Sequence, residues 1–337
     1  ERSRGLGDVY KRQVTSRVAY TDKQGYYEDL LQQANEDNGN DGFYRVEDSG
    51  RKTKNDDSLY GYRSATVFSS LMNLDVSHLF QSLYMEGGKN FYCYNGASPL
   101  PSAMFSVKYM LSSNPVDESP LRTLVGSSNG NYLYRNNYCL PLGYMMSEKA
   151  IKGWESSMLD RIGSLNSLAQ QLGAKGDMLY PATCTQSQAA GDTTIDISED
   201  GYYYADYVTC NADSLTVSRD DGWTQQYGKT THRYLLDLGE CKAGTKVHIT
   251  NLNAETIEYH VYRLNFKAMC TAYETLSEQT MSLEKMTDRR IVGSIDVRKA
   301  GRLILSVPAD EGWTLYVDGK KTKIKPFADA LIGVHLK

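Results

Sequence analysis

The chain has 337 residues, of which 40% are hydrophobic and 23% charged, with a formal net charge of −4. This length allows two ordinary domains or three small ones, each with its own buried core. The slightly acidic balance and the scattered basic residues exclude a nucleic-acid-binding surface, which needs a concentrated basic patch. No run approaches the roughly 18 apolar residues that would predict a membrane-spanning helix.

Tyrosine is unusually abundant, with 26 Tyr against 7 Phe. A tyrosine ring is apolar and its hydroxyl is polar, so it suits half-buried strands and sugar-facing grooves. Packing on strands is the favoured interpretation for most of them.

The six cysteines lie far apart, without a C-x-x-C pair or the ligand spacing of a zinc site. They permit up to three disulfides, in any of 15 pairings, or remain as buried free thiols. Their positions are Cys93, Cys139, Cys184, Cys210, Cys241 and Cys270.

The first thirteen residues are set apart from the rest. The sequence Asp8-Val-Tyr-Lys-Arg-Gln13 is what a transposon-end tag used in sequencing libraries encodes when translated. We therefore expect residues 1–13 to be an assembly scar, and we exclude them from fold prediction. The natural chain is then expected to begin near Val14, inside a longer gene.

Residues 14–175 are predicted to form a mixed α/β domain. Asp75 is the expected cap of a helix that ends at Gly87-Gly88, because an acidic cap and a glycine stop flank an apolar stripe. The elements predicted around it are a short helix over 26–34 and strands over 43–47, 103–111 and 132–136.

Apolar residues recur at steps of three and four from about Ser147 to Leu172, which predicts a long amphipathic helix. Gly153 and Gly163 lie inside this pattern, and each costs about 1 kcal/mol relative to alanine. A bend or two shorter helices therefore stay open.

Residues 176–337 contain short alternating runs, which predict an antiparallel β-sandwich of jelly-roll-like form. Asp318-Gly319 predicts a two-residue type I′ hairpin turn between the strands at 314–317 and 320–324. The chain as a whole is therefore predicted to be α+β. The strands expected before the hairpin cover 202–208, 234–238, 246–250, 258–264, 291–297 and 302–307.

Candidate catalytic and cofactor patterns are weak. Gly126-Ser-Ser-Asn-Gly130 matches the G-x-S-x-G elbow of hydrolases, but a strand-like run follows Ser128 where that elbow needs a helix. The acidic pairs Asp192/Asp196 and Asp220/Asp221 lie in turn sequence and lack the ligand spacing of a calcium loop. No phosphate-binding or dinucleotide motif is present, so no cofactor is predicted.

Two aromatic pairs are candidates for sugar contact. Trp223 lies near Tyr227, and Trp313 lies near Tyr316. Such rings stack on sugars, and they equally serve to anchor the corners of a sandwich. Both interpretations stay open for both pairs.

Several sequence blocks, taken in order, carry a family resemblance. The blocks are Phe43-Tyr-Arg-Val-Glu47, Tyr60-Gly-Tyr-Arg-Ser64, Phe68-Ser-Ser70, Ser106-Val-Lys-Tyr-Met110, Tyr134-Arg-Asn136, Leu140-Pro-Leu-Gly143, Leu303-Ile-Leu-Ser-Val-Pro308, Gly312-Trp313 and Val317-Asp-Gly-Lys320. Together they resemble the extracytoplasmic region of YfhO-family bacterial membrane proteins. The positions of this chain that match family motifs, and that we expect to be structural, are Arg45, Tyr62, Ser69, Tyr109, Asn136, Pro141, Gly312, Trp313, Asp318 and Gly319.

The resemblance implies a multi-pass glycosyltransferase of the GT-C type at the outer face of the bacterial cell membrane. Such an enzyme would add sugars from a polyprenyl-phosphate donor to teichoic-acid-like envelope polymers. Its catalytic acidic residues are expected upstream of this chain, so the resemblance assigns none here. Family members usually continue beyond the position of Lys337, so the last sheet is expected to lack a strand.

The resemblance names three partners: the protein's own transmembrane region, the lipid-linked sugar and the envelope glycopolymer. Two alternatives remain open. One is a secreted carbohydrate-binding module without catalysis. The other, ranked last, is a soluble hydrolase built around Ser128.

Overall fold

A computed structural model describes residues 24–208 and 210–337, so the predicted scar at 1–13 lies outside the described residues. The sheets are mostly antiparallel, with helices between them, so the predicted α+β class is confirmed. The six cysteines are all free thiols in this structure.

The N-terminal part contains two small sheets with helices packed around them. One sheet has the strand order β1-β5-β7-β6, in which only the β1–β5 pairing is parallel, and the other has the order β2-β4-β3. Their elements are α1 (Gln24–Asn38), β1 (Arg45–Asp48), α2 (Asp56–Tyr60), β2 (Val67–Phe68), α3 (Leu74–Ser82), β3 (Glu86–Gly88), β4 (Phe91–Cys93), α4 (Pro99–Met104), β5 (Val107–Ser112), β6 (Arg122–Ser128) and β7 (Asn131–Asn136).

Three local predictions in this part were wrong. One is the helix end at Gly87-Gly88, because α3 ends at Ser82 and both glycines lie in β3. The strand predicted over 103–111 starts as the end of α4, because Pro99 fits the first turn of a helix, where its missing N–H is not needed. The cap of α3 is Asn73, whose side chain accepts from the N–H of Asp75 at 2.9 Å, so Asp75 lies inside the helix.

The long helix predicted over 147–172 is two shorter helices. They are α5 (Glu148–Gly153) and α6 (Arg161–Gln171), and they follow β8 (Gly143–Met146). Asp160 caps α6 by accepting from the N–H of Gly163 at 2.9 Å. The indole of Trp154 donates to the carbonyl of Ser164 at 2.9 Å and so fixes the bend between the helices.

Nine strands between residues 179 and 264 form two antiparallel sheets, with the orders β10-β11-β16-β13-β14 and β15-β12-β17-β9. Buried side chains of both sheets belong to one hydrophobic cluster. The strands are β9 (Leu179–Pro181), β10 (Cys184–Ala189), β11 (Asp192–Ile197), β12 (Gly201–Tyr207), β13 (Ser214–Arg219), β14 (Thr224–Gly228), β15 (Leu236–Cys241), β16 (Lys246–Thr250) and β17 (Tyr259–Leu264).

Strand β12 is buried on both faces. Tyr203, Ala205 and Tyr207 enter the core between the two sheets, whereas Tyr202 and Tyr204 join the core of the N-terminal part. Successive side chains of a strand point to opposite faces, so one strand contributes to two cores. The second sheet is therefore covered on its outer face by the N-terminal part.

The C-terminal segment returns to the N-terminal part. Its strand β20 pairs with β8 on one side and with β23 on the other. Asp318 and Gly319 have φ angles of 50° and 75°, so the predicted hairpin turn is confirmed. The segment contains α7 (Phe266–Ser277), β18 (Ser282–Thr287), β19 (Arg290–Ser294), β20 (Gly301–Pro308), β21 (Leu315–Val317), β22 (Lys320–Thr322) and β23 (Leu331–Leu336).

Helix α7 was not predicted. Asn265 caps it through the N–H of Ala268 at 3.1 Å, and its buried face packs into the N-terminal core. The jelly-roll-like form and the domain division at residue 175 stay predictions.

Candidate functional site

A cavity lies where the edge strands β14 and β15 meet the N-terminal part, and we call it the junction cavity. The volume of this half-open cavity is about 100 Å³, and the space between its walls is about 710 Å³ when open solvent is included. Its lining includes Arg51, Tyr94 and Arg122 from the N-terminal part and Tyr202, Tyr204, Trp223, Tyr227 and Asp237 from the two sheets and the turn before β14.

Strand alternation places the aromatic side chains of this lining. Tyr202 and Tyr204 are two residues apart on β12, and their ring centroids lie 5.4 Å from each other. Trp223 precedes β14 by one residue, and Gln225 and Tyr227 follow it at steps of two. Residues at steps of two share a face of a strand, and both of these sets belong to the lining of the junction cavity.

A half-buried ion pair, Arg122 with Asp237, belongs to the lining of the cavity. The guanidinium of Arg122 donates to the Tyr202 hydroxyl at 2.7 Å and to the carboxylate of Asp237 at 3.0 Å. The Tyr202 hydroxyl in turn donates to Asp237 at 2.8 Å. Burial raises the pKa of Tyr202 well above its usual value, so this hydroxyl stays protonated.

Two polar atoms of the lining have no hydrogen-bond partner among the described residues. They are the hydroxyl of Tyr204 and the indole Nε1 of Trp223, and each has less than 1 Å² exposed. Burial raises the pKa of Tyr204 well above its usual value, so the group is a neutral donor. The guanidinium of Arg219 covers one side of the Trp223 ring, with its Cζ 4.8 Å from the ring centroid.

Charged contacts outside the cavity lining join the N-terminal part to the segment that contains the two sheets. Arg219 on β13 donates to both carboxylate oxygens of Asp117, at 2.7 and 2.9 Å, and Asp117 also accepts from the N–H of Glu240 at 3.1 Å. On another side, the buried carboxylate of Glu86 accepts from Lys54 at 2.9 Å and lies 2.9 Å from Nδ1 of His232. These contacts join segments far apart in the chain.

Comparison with known proteins identifies the family. The family described as bacterial membrane protein YfhO matches residues 8–337, nearly the whole chain. The chain belongs to the YfhO family. No helix within 24–208 or 210–337 is both long and apolar enough to cross a membrane.

Other comparisons add little to the YfhO assignment. No curated protein matches the chain. One solved structure that matches is DesR, a β-glucosidase from Streptomyces venezuelae in complex with D-glucose, with 17% identity and a TM-score of 0.17. The match covers 29% of this chain and only 12% of that enzyme, which is too little to bear on the fold.

The first of the positions predicted to match YfhO-family motifs make buried contacts. The guanidinium of Arg45 donates to the carbonyls of Phe105 at 2.7 Å and Ser306 at 2.6 Å, which joins β1 to β20. Burial lowers the pKa of Arg45 to about 10. The carboxylate of Glu47 accepts from the hydroxyl of Ser64 at 2.7 Å, so the first two blocks contact each other.

The remaining motif positions lie in packing or turn contacts. Tyr109 donates to Asp37 at 2.6 Å, and the side chain of Asn136 donates to the carbonyl of Val107 at 2.9 Å. The Tyr62 ring stacks on Tyr27, the Ser69 hydroxyl accepts from the N–H of Leu71, and the Pro141 carbonyl accepts from the Ser106 hydroxyl. The glycines lie in turns, Gly312 beside Trp313 and Gly319 after Asp318.

The predicted sugar-contact residues fall in two places. Trp223 and Tyr227 line the junction cavity together. Trp313 is half-buried against the cluster around β20, and Tyr316 is 61% exposed on β21. The sequence prediction missed Tyr204 and Asp237, although the run Tyr202-Tyr-Tyr204 was a signal, since alternation puts its outer members on one face.

Ser128 has the surroundings of a surface turn. It ends β6, and a tight turn leads directly into β7, so no helix follows it. Its hydroxyl donates to the carboxylate of Asp29 at 2.8 Å in exposed surroundings. Within the described part of the chain, no cluster of three His, Cys, Asp or Glu side chains could hold a metal ion.

Proposed function

We propose that this chain is the extracytoplasmic accessory region of a multi-pass membrane glycosyltransferase. The whole enzyme would transfer sugar from a polyprenyl-phosphate donor to teichoic-acid-like polymers of the cell envelope. In this proposal the catalytic residues belong to the membrane part, and this chain helps to position the polymer or the lipid-linked donor. Its partners are then the transmembrane region, the donor and the glycopolymer.

The observation that carries the proposal is the junction cavity. Aromatic rings and a few oriented polar groups line it, which is the usual lining of a saccharide site. Membership of a family of bacterial membrane proteins supports a place beside a membrane enzyme. Positions predicted to match family motifs, such as Arg45 and Asn136, make structural hydrogen bonds, which fits a region that supports chemistry performed elsewhere.

The full gene provides the first test. We expect about ten or more apolar spans upstream of this chain, and their absence would refute the proposal. The second test is sugar transfer by the full-length protein in membranes, with a version lacking residues 14–337 as the comparison. Transfer by that shortened version at the full rate, in equal amounts of protein, would contradict an accessory role.

A secreted carbohydrate-binding module is the second candidate. The two antiparallel sheets with a shared core favour it, since a jelly-roll-like sandwich with an aromatic-lined cavity suits such a module. It requires a signal peptide upstream in place of membrane spans. Glycan binding with no transfer activity in the full-length protein would favour it.

A further inference from the structure

We propose that the junction cavity binds one neutral sugar ring edge-on, with the Tyr204 hydroxyl and the Trp223 indole N–H donating to its oxygen atoms. The polymer to which that ring belongs rests on the proposed function. The binding itself needs only this chain. It therefore remains testable whether or not the chain proves to be part of a membrane transferase.

The size of the cavity limits how much of a ligand it can enclose. Its volume of about 100 Å³ has room for several waters, since one water needs roughly 10–15 Å³ of such space. That is enough for the hydroxyl-bearing edge of one ring, and the other ring atoms would lie in the open mouth. A ring held by one edge leaves its glycosidic oxygens free, so a polymer can continue in both directions.

The charges of the lining favour a neutral ligand. Arg122 is paired with Asp237 at 3.0 Å, and Arg51 lies 3.9 Å from the carboxylate of Glu47 and also donates to the side chain of Asn95. A phosphate entering the cavity would compete with these carboxylates for guanidinium groups that are already satisfied. Sugar hydroxyls face no such competition.

The unpartnered donors favour a ligand that can accept hydrogen bonds. A buried donor without a partner destabilises the folded chain, and Tyr204 and Trp223 each present one in this lining. Each donor atom has less than 1 Å² exposed, so binding requires the lining to open enough for the oxygen atoms of the sugar to reach these two groups.

Tyr204→Phe tests the inference, because it removes only the hydroxyl. Methyl glycosides of glucose, galactose and N-acetylglucosamine are titrated into the chain, and the indole NMR signals of its tryptophans are followed. Trp223→Phe and Trp313→Phe assign the signals. We expect the Trp223 signal to shift and saturate with at least one glycoside, and the Trp313 signal to stay in place.

Tyr259→Phe is the matched control. The hydroxyl of Tyr259 is also buried and has no hydrogen-bond partner within 24–208 or 210–337, but Tyr259 does not line the cavity. We expect Tyr204→Phe to weaken glycoside binding about fivefold to tenfold, as the loss of one hydrogen bond would. Tyr259→Phe should leave the affinity unchanged, and neither variant should unfold more easily than the parent, since no partner is lost.

Three results would overturn the inference. One is no shift of the Trp223 signal with any of the three glycosides at about 50 mM. Another is equal affinity in Tyr204→Phe and the parent. The third is a larger Trp223 shift with inorganic phosphate than with the sugars. A gene without membrane spans would refute the proposed function and leave these titrations standing, whereas normal transfer without glycoside binding would refute only the inference.

Discussion

Arg219 and Asp117 should be strongly coupled, and removing one of them should cost more than removing a surface pair. The Arg219 side chain is 3% exposed and Asp117 is 22% exposed, and they share two parallel hydrogen bonds. Asp117→Ala leaves a buried guanidinium whose other acidic partner, Asp221, is 51% exposed. Breaking a fully buried pair costs about 3–5 kcal/mol, so we expect about 3 kcal/mol here, since Asp221 remains.

The assay is a double-mutant cycle in urea, followed by tryptophan fluorescence. Asp117→Ala, Arg219→Ala and the double variant are compared with the parent chain. We expect the double variant to lose at least about 1 kcal/mol less than the sum of the single losses, because Asp117→Ala no longer strands a charge once Arg219 is gone. Lys299→Ala is the control, since Lys299 and its partner Glu278 are 75% and 52% exposed.

Two outcomes would refute this reasoning about the pair. Additivity of the single losses within about 0.5 kcal/mol would show that Asp117 and Arg219 do not depend on each other. A loss in Asp117→Ala no larger than the loss in Lys299→Ala, which should stay under about 1 kcal/mol, would show that the pair behaves as a surface contact.

Two further predictions concern the same junction. Gly96→Ala should destabilise the chain by about 2 kcal/mol or more in urea, because a Cβ there would lie 2.5 Å from the carbonyl oxygen of Tyr84. Gly130→Ala is the control: its φ is similar but the space around it is open, so it should lower the free energy of unfolding by less. Burial alone would raise the pKa of Glu86, but the charge of Lys54 outweighs burial, and the pKa is lowered overall. The ionised Glu86 therefore stabilises the folded chain above about pH 4.5, and this stabilisation is lost as the pH falls through the folded-state pKa. Glu86→Gln should therefore be less stable than the parent at pH 7, and the gap should narrow in acid; a gap that is constant with pH would contradict this.

Local sequence predicted much of the secondary structure. Strand β16 has the predicted bounds of Lys246–Thr250, and the turn at Asp318-Gly319 follows from residues that tolerate positive φ. The errors also have local causes. A side-chain cap outside the apolar stripe, Asn73, moved a helix start, and Pro99 began a helix where the apolar pattern indicated a strand.

The sequence by itself determined the α+β class, the family resemblance and the alternation of β12 into two faces. Only the tertiary structure decided what covers each face. Arg122 and Asp237 are 115 positions apart in the chain and meet at 3.0 Å, and β8 pairs with the distant β20. Periodicity is a property of neighbouring residues, so it shows that Tyr202 and Tyr204 share a face, but the partner that turns this face into a cavity wall comes from long-range packing.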